Sequence, residues 1–373
     1  MVTAISEPEG LAELEPDWRR LAEGRGNAFL TPEWFRCWSE HYGAEWIPFV
    51  PTLRDERGTL SGLLPLALPR SGRPRVCHVA GANLGDHFYP LAEAGHEPEV
   101  AAAVGEALAS APAPWSVLSL DHVEVDGSWL TALVEGTGLR LAVRQREAGP
   151  LPFIDLSSHG GWEDYLASRS KNMRGQVRNL RRRAAKEHSV RLRRTESRDE
   201  IRGDMATFFE LHDRRFSGRS SLESERARAF HTDFATAAFD RGWLRLWFLE
   251  LDDTPAAAWY GWRVGDRYAF FNSGFDPDLS RLRPGVLMQA AVIEAAFEEG
   301  AAEFDLLLGD ESYKQRFADG SRTVSDVVVS RAPPHPAWLA ASGEHVARNV
   351  GRRLPDSVKR LVRRRSLLGG RRR

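Results

Sequence analysis

Cysteine is scarce in this chain: Cys37 and Cys77 are the two it has, and they do not form a CxxC pair. A thiolate zinc site or a dithiol redox centre is therefore not expected, nor any other metal site; two reduced, buried thiols are the plain reading. Long apolar runs are missing too, since none approaches the roughly 18 residues of a membrane span. The opening MVTAISEPEG has no basic start and no apolar core, so a secretion signal is not expected. These absences lead to the expectation of a cytoplasmic protein. Aromatic residues, in contrast, are plentiful, with 12 Trp and 18 Phe among 373 residues. With 42% hydrophobic and 28% charged residues, the composition is that of a folded chain with a sizeable core. At roughly 100–200 residues per domain, its length predicts two domains.

A net surplus of one charge is absent, the balance being −1, but the charges are segregated. Residues 169–194 carry eleven Lys and Arg against one acid, Glu187, and residues 352–373 carry ten against one, Asp356. The rest of the chain is acidic on balance. Lys171, Arg174 and Arg178 recur at helical spacing and share one face. That face suits a phosphate-rich partner such as an acyl carrier protein or a tRNA; the alternative is a solvated surface paired with the acidic body. The tail 352–373 reads either as a short basic amphipathic helix making a peripheral membrane contact or as a solubilising, disordered extension.

Periodicity predicts helices and strands in alternation. In the first half, apolar spacing marks a helix over 9–22, and Thr31–Pro32–Glu33 marks the start of another. Strands are expected at 46–53, 59–68, 76–80, 115–120 and 139–146, with helices near 97–110 and 128–136. The second half repeats the order: a strand at 153–156, a basic helical region at 162–188, helices at 201–216 and 225–242, three strands between 244 and 274, a helix at 284–300, and strands at 303–308 and 323–330. The Pro-rich stretch 332–338 marks a domain exit.

The stretch 270–317, FFNSGFDPDLSRLRPGVLMQAAVIEAAFEEGAAEFDLLLGDESYKQRF, carries the most chemistry. A strand leads into a polar loop, and Pro284–Gly285 opens a helix. Helix N-termini carry partial positive charge, and a small residue lets a phosphate come close. Arg281 and Arg283 add countercharge, so 281–286 is a candidate phosphate cradle; a plain helix start is the alternative. A second polar loop, GANLGDHFYPL, gathers Asn83, Asp86, His87 and Tyr89 after a short strand. It reads as a binding loop or as a turn capped by Asn and Asp.

The combination of Gly274–Phe275–Asp276–Pro277, Pro284–Gly285, Phe304–Asp305, Gly309–Asp310, Tyr313–Lys314 and Arg316 resembles the C-terminal half of acyltransferases of the GNAT superfamily, in its CelD-like and FemAB-like group. FLTPEWFRCW and KNMRGQVRNLRRR extend the resemblance to about residues 1–330. It implies an α/β (α+β) fold of two tandem GNAT-like domains, each a mixed, mostly antiparallel sheet flanked by helices. The division expected is 1–150, then 151–332 with the donor site, then the basic tail 333–373. The implied reaction moves an acyl group from a thioester donor, acyl-CoA or an acyl carrier protein, to an amine. A FemAB-like relative using aminoacyl-tRNA, or a non-catalytic GNAT fold serving polysaccharide assembly, are the alternatives.

The resemblance implies Tyr313 as the acid that protonates the departing thiolate, with Lys314 and Arg316 polarising or binding the donor. Ser273, Gly274, Phe275, Arg281, Arg283, Pro284, Gly285 and Val286 would hold the donor's phosphopantetheine and phosphates. The loop departs from the usual GNAT pattern, with Pro284 in place of the first Gly and Val286 at the last position, which leaves the donor's identity open. An amine nucleophile must shed a proton, and Asp305, Asp86 and His87 are candidates to take it, with Asp310 and Glu311 nearby. Asp305 also reads as a buried structural carboxylate. Asn83, Tyr89, Asn272 and the cations Lys171, Arg174 and Arg178 are the candidate substrate contacts.

Overall fold

A computed structural model describes residues 1–71, 75–111, 115–125, 128–216 and 222–331. The predicted exit at 332–338 and the basic tail lie outside the described residues. The first half comprises β1 (Val2–Ile5), α1 (Pro8–Arg25), α2 (Pro32–Tyr42), β2 (Trp46–Arg54), β3 (Leu60–Leu63), β4 (Leu66–Pro69), β5 (Val76–Val79), β6 (Leu91–Ala92), α3 (Glu97–Ala109), β7 (Val117–Glu124), α4 (Ser128–Gly136) and β8 (Ala142–Asp155). The second comprises α5 (Trp162–Ser168), α6 (Lys171–Glu187), β9 (Val190–Arg194), α7 (Ile201–Phe216), α8 (Glu225–Asp240), β10 (Leu244–Leu251), β11 (Thr254–Val264), β12 (Arg267–Phe275), α9 (Pro284–Glu298), β13 (Glu303–Asp305), α10 (Ser312–Phe317) and β14 (Gly320–Ser330). The fold is α/β with a mixed, mostly antiparallel sheet flanked by helices.

Local chemistry sets the boundaries. The Thr31 hydroxyl accepts from the Trp34 N–H at 3.2 Å and Pro32 fills the first turn, so α2 starts where expected. The basic region is two helices rather than one: Ser170 caps α6 through the Met173 N–H at 3.2 Å, and extended Arg169 and Ser170 separate it from α5. The expected strand 59–68 is likewise split into β3 and β4, with Leu64–Pro65 between them; Pro supplies no N–H to a ladder. Conversely, the strands expected at 139–146 and 153–156 are one strand, β8.

One continuous sheet runs through both halves, in the order β6-β3-β2-β4-β5-β7-β14-β8-β13-β12-β11-β10-β9. Two strands fuse the halves. β14 pairs antiparallel with β7 of the first half on one side and with β8 on the other. β8 passes unbroken through position 150, where the sequence division falls. Each half contains a strand, a helix and a parallel return strand: β5, α3, β7 and β12, α9, β13. The pairing of β12 with β13 covers only Arg267–Ala269 against Glu303–Asp305, and beyond it β12 continues to Phe275 paired with β11 alone. The strands therefore splay, and the opening between them is where the clefts described below lie.

The halves are also cemented by aromatic packing. Trp34 of α2 lies edge-on to Phe230 and Phe234 of α8, each with ring centroids 4.8 Å away, and 6.0 Å from Trp262 of β11. Gly81 makes room for it, since a Cβ there would lie 2.4 Å from the Trp34 indole nitrogen. Cys37 and Cys77 are buried. No helix among the described residues is long and apolar enough to cross a membrane.

Gly274 of β12 backs onto α7 so closely that a Cβ would meet the His212 backbone nitrogen at 2.3 Å and the Leu211 carbonyl carbon at 2.4 Å. Neither backbone atom can swing aside, so Gly274→Ala forces β12 and α7 apart. We expect a loss of about 1–3 kcal/mol, read as a lowered urea midpoint with an unchanged slope.

Candidate active site

Two clefts meet at the splayed end of β12. The first, of about 330 Å³, is lined by Arg215, Ser273, Phe275, Ser280, Arg283, Pro284, Gly285, Val286, Gln289, Tyr313 and Arg316. The second, of about 200 Å³, lies at the junction of the two halves. Its lining includes Asn83, Asp86, His122, His231, Asn272, Glu311 and Lys314, and again Arg215 and Tyr313. Arg215 and Tyr313 thus stand between the two clefts and face both.

The first cleft is built on the N-terminus of α9. Arg283 precedes that helix in the left-handed region (φ 48°) and offers no side-chain cap. The helix end is thereby left for a ligand, with the partial positive charge of its first turn. A Cβ on Gly285 would lie 3.2 Å from the Phe275 ring, so glycine here lets that ring close one wall. One turn further, Gln289 is 3% exposed and its Nε2 has no hydrogen-bond partner among the described residues. A buried unpaired donor is costly, and a ligand carbonyl or phosphate oxygen in the cleft would satisfy it. Arg283 and Arg316 add positive charge, while no carboxylate appears among the described lining residues. Arg316 also donates to the Gln176 side chain at 3.1 Å, tying the rim to α6. Arg281 turns away to pair with Glu187 at 2.5 Å and does not line the cleft. Gly274 faces α7 and does not line it either.

Between the clefts, Arg215 donates to the Ser273 hydroxyl at 2.6 Å and to its carbonyl at 3.2 Å. Its guanidinium lies over Phe216 at 4.5 Å and Phe275 at 5.1 Å. Burial pushes the Tyr313 phenol up to about 12, against the opposing pull of the Arg215 charge and hydrogen bond. At neutral pH Tyr313 therefore holds its proton and has it to give. Arg215 is absent from the sequence-level candidates: it sits in the last turn of an ordinary amphipathic helix, and no local motif marks it.

The second cleft mixes signs. Lys314 is buried; its ammonium donates to the Leu308 carbonyl at 2.9 Å, lies 3.3 Å from the Glu311 carboxylate and 5.9 Å from the centre of the Phe270 ring. Gly309 permits this, since a Cβ there would sit 2.6 Å from that ammonium. A bulge in β12 places Asn272 opposite Tyr260 and Phe270 opposite Gly261, leaving Phe271 as the extra residue. Asn83 accepts from the Trp38 indole at 3.2 Å. His231 of α8 is fully buried, neither ring nitrogen has a partner among the described residues, and burial pushes its pKa down to about 3.

Of the sequence candidates, Ser273, Phe275, Arg283, Pro284, Gly285, Val286, Arg316 and Tyr313 are brought together in the first cleft, and Asn83, Asp86, Asn272 and Lys314 in the second. Others fall elsewhere. Asp305 is buried and accepts the Leu307 N–H at 2.7 Å, holding Leu307 in a left-handed turn (φ 53°). His87 bonds Glu124 at 2.8 Å, and Tyr89 packs against His87 and under the Arg25 guanidinium. None of these three lines either cleft. Nor do Lys171, Arg174 and Arg178 on α6; Arg174 donates to the Ala167 carbonyl at 2.9 Å and Arg178 pairs with Glu163 at 3.2 Å.

Residues 171–315 match the family model described as an acetyltransferase (GNAT) domain. No curated protein matches the sequence. Among solved structures, the crystal structure of FemX is similar with a TM-score of 0.61 at 11% identity, over 87% of this chain and 96% of that one. The C-terminal domain of a putative lysylphosphatidylglycerol synthetase from Agrobacterium fabrum gives 0.55 at 12%, over 90% and 97%. L-PGS from Bacillus licheniformis gives 0.51 at 14%, over 90% and 96%. Sequence similarity to a GNAT domain is thus confined to residues 171–315. Over most of its length the chain is similar in fold to FemX.

The neutral, buried His231 has a consequence for acid stability. The unfolded chain binds a proton on this ring near pH 6.5 and the folded chain only near pH 3. Between those values the unfolded state holds more protons, so stability falls as pH falls. We expect His231→Phe to remove about 2 kcal/mol of the destabilisation seen on going from pH 7.5 to pH 5, measured as a shallower fall in the denaturation midpoint.

Proposed function

We propose that the protein is an N-acyltransferase that holds an anionic thioester donor in the first cleft and an amine in the second, with transfer beside Tyr313 and Arg215. The carrying observation is the contrast between two clefts that share those residues. Arg215, Arg283 and Arg316 face the first, with no carboxylate among its described lining residues; the second sets Asp86 and Glu311 beside Arg215 and Lys314, so of the two it is the one with carboxylates to draw in an ammonium group. The first cleft fits the phosphopantetheine and phosphates of acyl-CoA or of a carrier-linked acyl group. The α9 N-terminus, Arg283 and Arg316 suit the phosphates, and Gln289 suits an amide oxygen of the arm.

The acyl donor supplies an activated carbonyl. The amine attacks it, a C–N bond forms and the C–S bond breaks. Tyr313 protonates the departing sulfur, and Arg215, whose N–H groups reach the Tyr313 hydroxyl, steadies the phenol as it gives up charge. Lys314 and Arg215 line the second cleft together with Tyr313 and would bring positive charge to the developing oxyanion. A macromolecular donor, carrier protein or charged tRNA, would approach along α6, whose Lys171, Arg178 and Arg182 are exposed and whose Gln176 touches Arg316 at the cleft rim.

The test is thiol release from acetyl-, hexanoyl- and decanoyl-CoA in the presence of primary amines. Tyr313→Phe is expected to lower kcat by about 10²–10⁴ with little change in donor KM. Full turnover by this variant would end the assignment. Arg283→Ala and Arg316→Ala are each expected to raise donor KM by about 10-fold or more while sparing kcat, as loss of one charge-assisted hydrogen bond predicts.

A further inference from the structure

We propose that His122, contributed by the first half, is the general base that takes the proton from the acceptor ammonium at its Nε2. This rests on the acyltransferase reading above. Four features carry it. His122 sits at a bulge in β7, where it and Asp121 together oppose the single residue Asp326 of β14. Its backbone is left-handed (φ 54°), an uncommon state for a residue with a side chain. That state is held from two sides: the His122 N–H donates to Asp326 Oδ1 at 3.1 Å, and its carbonyl accepts from the Phe88 N–H at 2.9 Å. Strain of this kind persists where the surrounding structure enforces it and function uses it. Its result here is a half-buried imidazole facing the second cleft.

The tautomer follows from the partner. Nδ1 lies 2.9 Å from the Gly85 carbonyl, which can only accept, so Nδ1 carries the hydrogen. In the neutral ring Nε2 then holds the lone pair, as a base oriented by a second group should. The alternatives in and around the cleft are poorer. His231 has no hydrogen-bond partner among the described residues to orient it, and burial holds it neutral. Lys314 is already a donor to the Leu308 carbonyl. Asp86 and Glu311 are carboxylates, suited to attract an ammonium rather than to hold its proton. His87 and Asp305 do not line the cleft.

The proton balance closes. The ammonium loses two protons in becoming an amide N–H. One passes to His122 Nε2 and on to solvent. The other replaces the proton that Tyr313 gives to the departing sulfur.

The test compares an amine that needs a base with one that does not. Ethanolamine is protonated at pH 7 and hydroxylamine is largely neutral; the donor probe is whichever of acetyl-CoA or decanoyl-CoA the wild type turns over. His122→Asn and His122→Gly both tolerate the left-handed backbone, so both should fold with melting temperatures no lower than wild type. Transfer to ethanolamine should drop about 10²–10⁴-fold in both, and transfer to hydroxylamine less than 10-fold. Equal losses with the two amines, undiminished transfer to ethanolamine, or a large fall in melting temperature in both variants would overturn the role of His122 and leave the acyltransferase reading intact. A wild type that transfers to neither amine from either donor would remove both.

Discussion

The site depends on how little of β13 pairs with β12. Three residue pairs form, and then Asp305 takes the Leu307 N–H and bends the chain through a left-handed residue. Had the pairing continued, the sheet would have closed over the end of β12 and its polar groups would have been used in a ladder. Because it stops, Ser273 and Phe275 are left to line a cleft, α9 can present its N-terminus there, and α10 can bring Tyr313 to the same place. The buried carboxylate that looks catalytic in sequence is the one that opens the sheet. Its contribution to function is geometric.

The second constraint is the fusion of the halves. β14 belongs by sequence to the second half but completes the sheet of the first through β7. Trp34 inserts from the first half among Phe230, Phe234 and Trp262 of the second. A cleft between loosely tethered domains would change shape as they moved. Here the walls of the second cleft come from the loop after β5, from β7, α7, α8, β12 and the turn before α10, and a shared core holds these in register. The Phe88 backbone bridges to β7 on both sides of Val123, accepting from the Glu124 N–H at 3.1 Å as well as donating to the His122 carbonyl, which fixes the loop carrying Asn83 and Asp86 beside that histidine.

Much of the first cleft was legible because its signals are local. Pro284–Gly285 opens a helix in any context, and Tyr313, Lys314 and Arg316 follow a short strand within a few residues. What was not legible depends on distant partners. His122 faces the cleft because a register shift against β14, some 200 residues later, turns it there; its own neighbours read as an ordinary strand. Arg215 owes its place to Ser273 and Tyr313, which the sequence separates from it by 58 and 98 positions. His87 shows the opposite error. It adjoins Asp86, but the chain bends between them in a loop, so Asp86 lines the cleft while His87 turns to Glu124. On the long basic face of α6 charge count is visible in sequence and pairing is not: Arg181 bonds Glu294 at 2.6 Å, and Arg178 and Arg174 have partners of their own, while Lys171, Arg178 and Arg182 stay exposed.

Charge placement gives the two clefts different roles without any difference in depth or shape being needed. The guanidiniums of the first raise the local concentration of an anion and leave nothing to hold a cation. The second offers Asp86 and Glu311, with Lys314 kept from dominating the field by its own bonds to Leu308 and Glu311. Under the proposed acyltransferase reading, an amine and an anionic donor would be sorted to opposite sides of Tyr313 before any bond changes. The phenol carries its proton at neutral pH with or without burial; burial makes it the weaker acid, and the charge and hydrogen bond of Arg215 pull the other way, so the packing around Tyr313 and its contact with Arg215 together set how readily that proton leaves.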